Sequence, residues 1–315
     1  MTKMRRALRA LRLHRMAATV PVGLAVAAVG CSLLTSLDDL SGGASGDGGN
    51  ASDGLVANAE AGDGRTGTSD AVGDADGSNS GDAASASDLY ASAVLADLPL
   101  GYWRLEEISG TSANEETNRY GGTFKGTPTL GVPGVAGSRA MRVPTGSHAT
   151  MTAPGADFRF PGNVPYSIEV WAKPGVIRDY AIMVSTEVPP NAEGRAGWTM
   201  VTDGQGIVHF EVWVPNDGGY LQARGIPMSP TTITMGNFHH LVAVYTGTDM
   251  IGYIDGVLGV RVAMSGAAPN LGGSLIVGCR ADVSFCLDDW TIDELAIYDH
   301  VLTPARVNEH YELGK

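Results

Sequence analysis

Carboxylates close together in one strand are the first residues here whose spacing points to chemistry. The segment Asp289-Trp-Thr-Ile-Asp293-Glu294 places three acids within six positions, and a carboxyl pair about 5 Å apart is what a retaining glycoside hydrolase uses as acid and nucleophile. Strand alternation argues against that use. Neighbours face opposite sides, which separates Asp293 from Glu294, and the position between Asp289 and Asp293 on their shared face is Thr291. The chain has no Gly-x-Ser-x-Gly elbow, no His-Glu-x-x-His pair and no phosphate loop. Catalysis is therefore not expected. The adjacent His239 and His240 would also point apart, so they are read as parts of the fold rather than as ligands of one metal.

Binding chemistry is better represented. In the run Ile207–Val214 the positions Val208, Phe210, Val212 and Val214 form an unbroken apolar set that should face a core. His209, Glu211 and Trp213 then share the other face. A tryptophan beside polar side chains on an open sheet is a common grip for a sugar ring, with the apolar ring face stacked and the hydroxyls hydrogen-bonded. A neighbouring loop covering Trp213 is the alternative.

These residues need strands to position them, and from Asp88 onward the texture provides them. Runs of β-branched and aromatic residues such as Tyr166–Ala172, Trp198–Val201, His240–Tyr245 and Met250–Ile254 alternate with Gly, Asp and Pro turns, the pattern of an all-β sandwich or barrel. Tight turns are expected at Asp203-Gly204 and Asp255-Gly256. Only the two ends of this region read as helical: Asp88 would cap Leu89–Ala96, and Thr303 with Pro304 would open a helix through Tyr311, stopped by Gly314. One domain is expected over 88–315.

The part before Asp88 has a different character. Lys3, Arg5, Arg6, Arg9, Arg12 and Arg15 precede an uncharged stretch from Met16 to Gly30, which ends in small residues before Cys31. This arrangement resembles a bacterial lipoprotein signal. The resemblance implies removal of residues 1–30, acylation of Cys31 and export to the cell envelope, with Ser32 favouring the outer membrane. An uncleaved membrane anchor is the alternative, because the uncharged run continues through Leu37. Residues 31–87 form an acidic segment with 12 Gly and nine Asp and no aromatic or proline. Such a chain cannot bury enough apolar area to offset the entropy of ordering it, and is expected to be a disordered tether with a reach of roughly 40 Å. The net charge of −13 would repel phosphate, so no nucleic-acid partner is expected. In an oxidising compartment, Cys279 and Cys286 would be left as a pair for a disulfide worth about 2–3 kcal/mol, the alternative being two buried thiols.

Within the folded part, Tyr102-Trp103-Arg104-Leu105-Glu106-Glu107, Ser167–Trp171, Phe238–Tyr245 with Tyr253–Val257, Ile292–Tyr298 and Leu302–Ala305 follow one another in order. The ordered set resembles bacterial laminin-G-like jelly-roll domains of the concanavalin-A-like superfamily. The resemblance implies an all-β jelly-roll sandwich and a structural calcium ion at its rim, with Glu115 and Asp293 as ligands. For the acids in the strand around Asp293, an arginine partner such as Arg104 or backbone donors are the alternative. It also suggests a surface-tethered module whose partner is a glycan or a cell-surface protein. The competing reading is a protein-interaction or architectural envelope component, and a glycoside hydrolase is a remote third.

Overall fold

The computed structural model describes residues 83–152, 157–191, 194–215, 221–264, 266, 268 and 271–315. Cys31, the segment 1–30 and the tether as far as residue 82 lie outside the described residues. The first element is helix α1 (Ala86–Ala96). Strands β1 (Gly101–Trp103), β2 (Ser112–Asn114), β3 (Gly121–Lys125), β4 (Thr129–Pro133), β5 (Arg139–Val143) and β6 (His148–Thr152) follow, with a 3-10 turn (Val135–Gly137) between β4 and β5. Next come β7 (Tyr166–Lys173), β8 (Ala181–Ser185), β9 (Val188–Asn191), β10 (Gly194–Ala196), β11 (Trp198–Thr202) and β12 (Val208–Pro215). The chain continues with β13 (Leu221–Pro227), β14 (His239–Tyr245), β15 (Asp249–Ile254), β16 (Val257–Ala263), β17 (Leu275–Val277) and β18 (Trp290–Tyr298), and ends in helix α2 (Pro304–Gly314).

Two antiparallel sheets face each other. The first runs β16-β15-β14-β7-β18-β5-β4, with β1 added on β18, and the second runs β13-β12-β11-β8-β17-β6-β3-β2. This is the expected all-β sandwich, folded from the expected strands. The core between the sheets is built from inward residues such as Trp103, Ile168, Val170, Trp198, Phe210, Leu241, Trp290 and Ile292. At about 25 cal/mol per Å² of apolar surface, each large side chain buried there contributes roughly 2–3 kcal/mol.

A second apolar layer lies on the far side of the first sheet. There Tyr90 and Val94 of α1 and Val307 of α2 pack with Tyr102, Trp171, Val242, Val244, Ala296 and Tyr298. The central strands β7, β14 and β18 are thus buried on both faces, which explains why their sequences are nearly continuous apolar runs. The helices on this sheet are the two whose sequences read as helical. Asp88 does not cap α1, however: Ser85 does, and Asp88 sits three residues into a reciprocal capping box, accepting from Ser85 while its own N–H donates to the Ser85 hydroxyl at 3.1 Å. The folded part therefore begins a few residues before Asp88. Thr303 caps α2 with Pro304 in its first turn, as expected.

Of the two expected tight turns, one forms. Asp255 and Gly256 have φ of 53° and 74°, the left-handed pair of a two-residue hairpin between β15 and β16. Asp203-Gly204 instead opens a wider loop. The Asp203 carboxylate accepts from the N–H groups of Gln205 and Ile207, both at 2.9 Å, and the left-handed residue is Gly206.

Candidate functional site

Asp293 and Glu294 do not point apart. Asp293 pairs with Trp171 and Ala296 with Glu169, so β18 carries one extra residue opposite β7. Glu294 adopts φ 51° in this bulge. Ile292 and Leu295 both enter the sandwich core, and the two carboxyls between them both turn towards the helix-covered side. Glu294 accepts from the Tyr102 hydroxyl and faces Arg104 Nε at 3.5 Å. Asp293 Oδ2 accepts from Val135 N–H and the Ser138 hydroxyl, each at 2.9 Å. A Cβ on Gly134 would lie 2.3 Å from that same oxygen, so only glycine allows the chain to wrap the carboxyl this closely. Burial pushes Asp293 up to about 7, and burial with the neighbouring Asp293 charge pushes Glu294 well above the usual carboxylate range. Raised carboxyls of this kind suit acid–base chemistry, yet the residues are 0% and 1% exposed and their oxygens are turned onto the fold. Their visible work is to fix the turn at Gly134–Ser138 and strand β1.

The calcium ligands expected at Glu115 and Asp293 serve separate sets of partners. Glu115 is buried and accepts from the N–H groups of Tyr102 (3.0 Å) and Arg119 (2.9 Å) and from the Thr117 hydroxyl. The two carboxyls share no partner, and N–H and O–H donors engage both oxygens of Glu115 and Oδ2 of Asp293, so the donor set does not fit a shared calcium. Among the described residues no group of three or more His, Cys, Asp or Glu side chains is placed to hold a metal ion. The alternative partners, backbone donors and Arg104, are the ones observed.

His239 and His240 serve separate partners, in keeping with a role in the fold. His239 Nδ1 lies 2.8 Å from Asp255, while His240 Nε2 lies 2.8 Å from the wholly buried Glu169. Glu169 is a hub. Besides His240 it accepts from the Tyr90 hydroxyl (3.0 Å), the Tyr298 hydroxyl (2.7 Å) and His310 Nδ1 (3.0 Å). The other nitrogen of His310 reaches Asp97 at 3.2 Å. Burial alone would raise Glu169, but His310 and His240 hold it well below the ordinary range. Burial likewise works against a charged His310, and Glu169 outweighs it and raises the imidazole. The hub thereby fastens both helices to β7.

Fastening α2 creates a cleft. Phe238 and Tyr311, both half-buried, line it over the buried Trp171, and Asn237, Asp255 and Lys315 form its polar rim, around about 370 Å³. The Tyr311 ring stacks on Trp171 at 5.9 Å and 16°. Two glycines make that approach possible: a Cβ on Gly314 would sit 2.4 Å from the Trp171 ring, and one on Gly256 would sit 2.9 Å from Tyr311. The turn held by Asp293 supplies the opposite lip through Gly134, Val135 and Ala136. Asp255 is oriented by His239 and by the His240 N–H at 2.9 Å.

His209, Glu211 and Trp213 do share one face of β12, opposite the buried Val208, Phe210, Val212 and Val214. All three are half-buried rather than open. His209 lies 3.5 Å from Asp203, Glu211 lies across Gly225 of β13, and β10 packs against both β12 and β13. They lie on the second sheet, away from the aromatic cleft. Sequence reasoning missed the cleft residues. Trp171 and Phe238 stand in the family-like motifs, but no spacing ties them to Tyr311. Cys279 and Cys286 form the expected disulfide.

The architecture defines a jelly-roll β-sandwich with helices roofing one sheet. Residues 145–308 match the laminin-G family described as the concanavalin A-like lectin/glucanases superfamily. The chain belongs to that family. No curated protein matches its sequence. Among solved structures, the botulinum neurotoxin serotype D binding domain aligns over 70% of this chain and 52% of its own, with 11% identity and a TM-score of 0.51. The binding domain of Paraclostridial Mosquitocidal Protein 1 aligns over 68% of this chain and 51% of its own, with 13% identity and a TM-score of 0.50. A Trypanosoma rangeli sialidase aligns over 69% of this chain and 34% of its own, with 11% identity and a TM-score of 0.50. The chain spans about half the length of the two binding domains it resembles. At these identities the likeness concerns the fold.

Proposed function

We propose that this chain is a carbohydrate-binding module, held at the surface of the bacterial envelope by a lipid on Cys31 and spaced from it by residues 31–87. The observation that carries the binding reading is the cleft: the half-buried rings of Phe238 and Tyr311, backed by the buried Trp171, meet a rim of amide, carboxylate and ammonium groups. Aromatic faces take the C–H face of a sugar ring, and the rim groups take its hydroxyls. The similar toxin structures are binding domains by name, which agrees with a recognition role. No catalytic step is assigned to the module.

A glycan array probed with the chain tests the reading. Phe238→Ala, at a half-buried wall, should weaken binding about tenfold, the worth of one aromatic contact at ~1–1.5 kcal/mol. Unchanged array signals in that variant would remove the cleft from consideration. Labelling with a palmitate analogue tests the anchor, because Cys31→Ser should abolish the label. The competing protein-interaction reading draws on strand β16 at the end of the first sheet, where Val257, Leu258 and Val262 are exposed.

A further inference from the structure

The loop closed by the Cys279–Cys286 disulfide presents its apolar side chains to solvent. Phe285 is 44% exposed, Val283 50%, and Tyr180 from the segment before β8 stands beside them at 57%. The Tyr180 and Phe285 rings meet edge-on with centroids 5.9 Å apart. All three residues have left-handed backbones, with φ of 57° at Tyr180 and Val283 and 53° at Phe285. Such conformations are strained for residues that carry a side chain and persist only where the surroundings impose them.

Here the surroundings do. The disulfide closes the loop, Arg280 N–H donates to Ser284 O at 3.0 Å, and Ile182 N–H donates to Phe285 O at 2.9 Å, stitching the loop to β8. Arg280 is buried, pairs with Asp282 at 2.8 Å and with Glu187 at 3.4 Å, and lies 4.7 Å from the Phe285 ring centre. The aromatic pair is therefore preorganised, and an occupant would not bear the cost of ordering it.

The size and charge of the patch select the occupant. Three apolar side chains fall far short of the 20–30 residues a side that a stable protein interface uses, but they match one or two pyranose rings. Around them Arg178 pairs with Asp288 and Arg280 with Asp282, and Asp179 adds a further carboxylate. Two arginines against three aspartates disfavour an anionic ligand, while carboxylates accept readily from sugar hydroxyls. We infer that Tyr180 and Phe285 form a second saccharide platform, for neutral sugars, separate from the Trp171 cleft and making the module bivalent.

Affinity electrophoresis of the full chain through gels cast with galactomannan, xyloglucan or mixed-linkage β-glucan tests this. Tyr180→Ala/Phe285→Ala should raise the apparent Kd for the retarding polymer five- to tenfold with little change in melting temperature, since neither side chain belongs to the buried core. Combining it with Phe238→Ala should weaken binding beyond either variant alone, as expected for two linked sites. Cys279→Ser/Cys286→Ser, which frees the loop, should weaken the same polymer while leaving the contribution of Phe238 intact. Wild-type mobility of the Tyr180/Phe285 variant alongside released Phe238→Ala overturns the platform and leaves the cleft. The reverse result removes the cleft and keeps the platform, and a wild-type chain retarded by no polymer overturns both. A wild-type dimer in sedimentation that Tyr180→Ala/Phe285→Ala dissolves would make a second copy the occupant and overturn the saccharide assignment.

Discussion

Replacing Asp293 by asparagine should flatten the dependence of stability on pH. Asp293 is buried with one oxygen engaged by Val135 and Ser138 and the other without a hydrogen-bond partner. Its proton is held to about 7 in the folded chain, against an ordinary 3.8. In the unfolded chain the proton leaves near the ordinary value. Between the two, the unfolded state binds fewer protons than the native state, so stability falls as pH rises and levels off once the folded carboxyl has ionised. At ~1.4 kcal/mol for each tenfold step in proton affinity, the loss from pH 4.5 to 7 is about 3 kcal/mol. Asparagine has no such proton. It does place an amide where the unpartnered oxygen was, which costs about 1–3 kcal/mol at every pH. Asp293→Asn should thus be less stable than the native chain at pH 4.5 and draw level with or overtake it by pH 8. Removing the Asp293 charge also relieves Glu294, which acts in the same direction. Urea unfolding at half-unit pH steps measures the difference. Parallel curves for the two chains across pH 4.5–8 would refute the reasoning.

The hub at Glu169 supports an opposite acid-side expectation. Its carboxylate is held below the ordinary range by His310 and His240, so its contribution is present above the unfolded value and lost as pH falls through the folded one; Glu169→Gln should destabilise by ~3–5 kcal/mol in urea at pH 7, because it leaves buried charge uncompensated. Exhaustive chelation should leave the melting temperature unchanged, since among the described residues no three His, Cys, Asp or Glu side chains are grouped to hold a cation; a drop reversed by added calcium would refute this.

How far the sequence was legible depends on which contacts are local. Strand positions, the parity of β12, the helix cap at Thr303 and the disulfide follow from short-range pattern, and each stands in the structure as expected. The cap at Ser85 was equally local, and Asp88 drew attention because the capping box makes both residues look like a helix start. The bulge in β18 was not legible. Strict alternation is the default inference for a strand, and the extra residue reveals itself only through the register against β7. That single residue decides whether Asp293 and Glu294 are separated or side by side, and hence whether the lip at Gly134–Ser138 can be held at all.

The cleft was illegible for a related reason. The buried Trp171 beneath it belongs to β7, one wall to the start of β14 and the other to α2, and these are joined by side chains rather than by spacing. Glu169 connects them: on β7 it lies two residues before Trp171, bonds His240 on β14, and bonds His310, the residue before Tyr311. A carboxylate buried in an apolar layer is costly unless several donors converge on it, and here the converging donors come from both helices and two strands. The polar hub and the aromatic cleft are thus two consequences of one packing arrangement. A change that loosens Glu169 should be felt first in the position of Tyr311, the wall nearest the hub, and only then in the sandwich beneath.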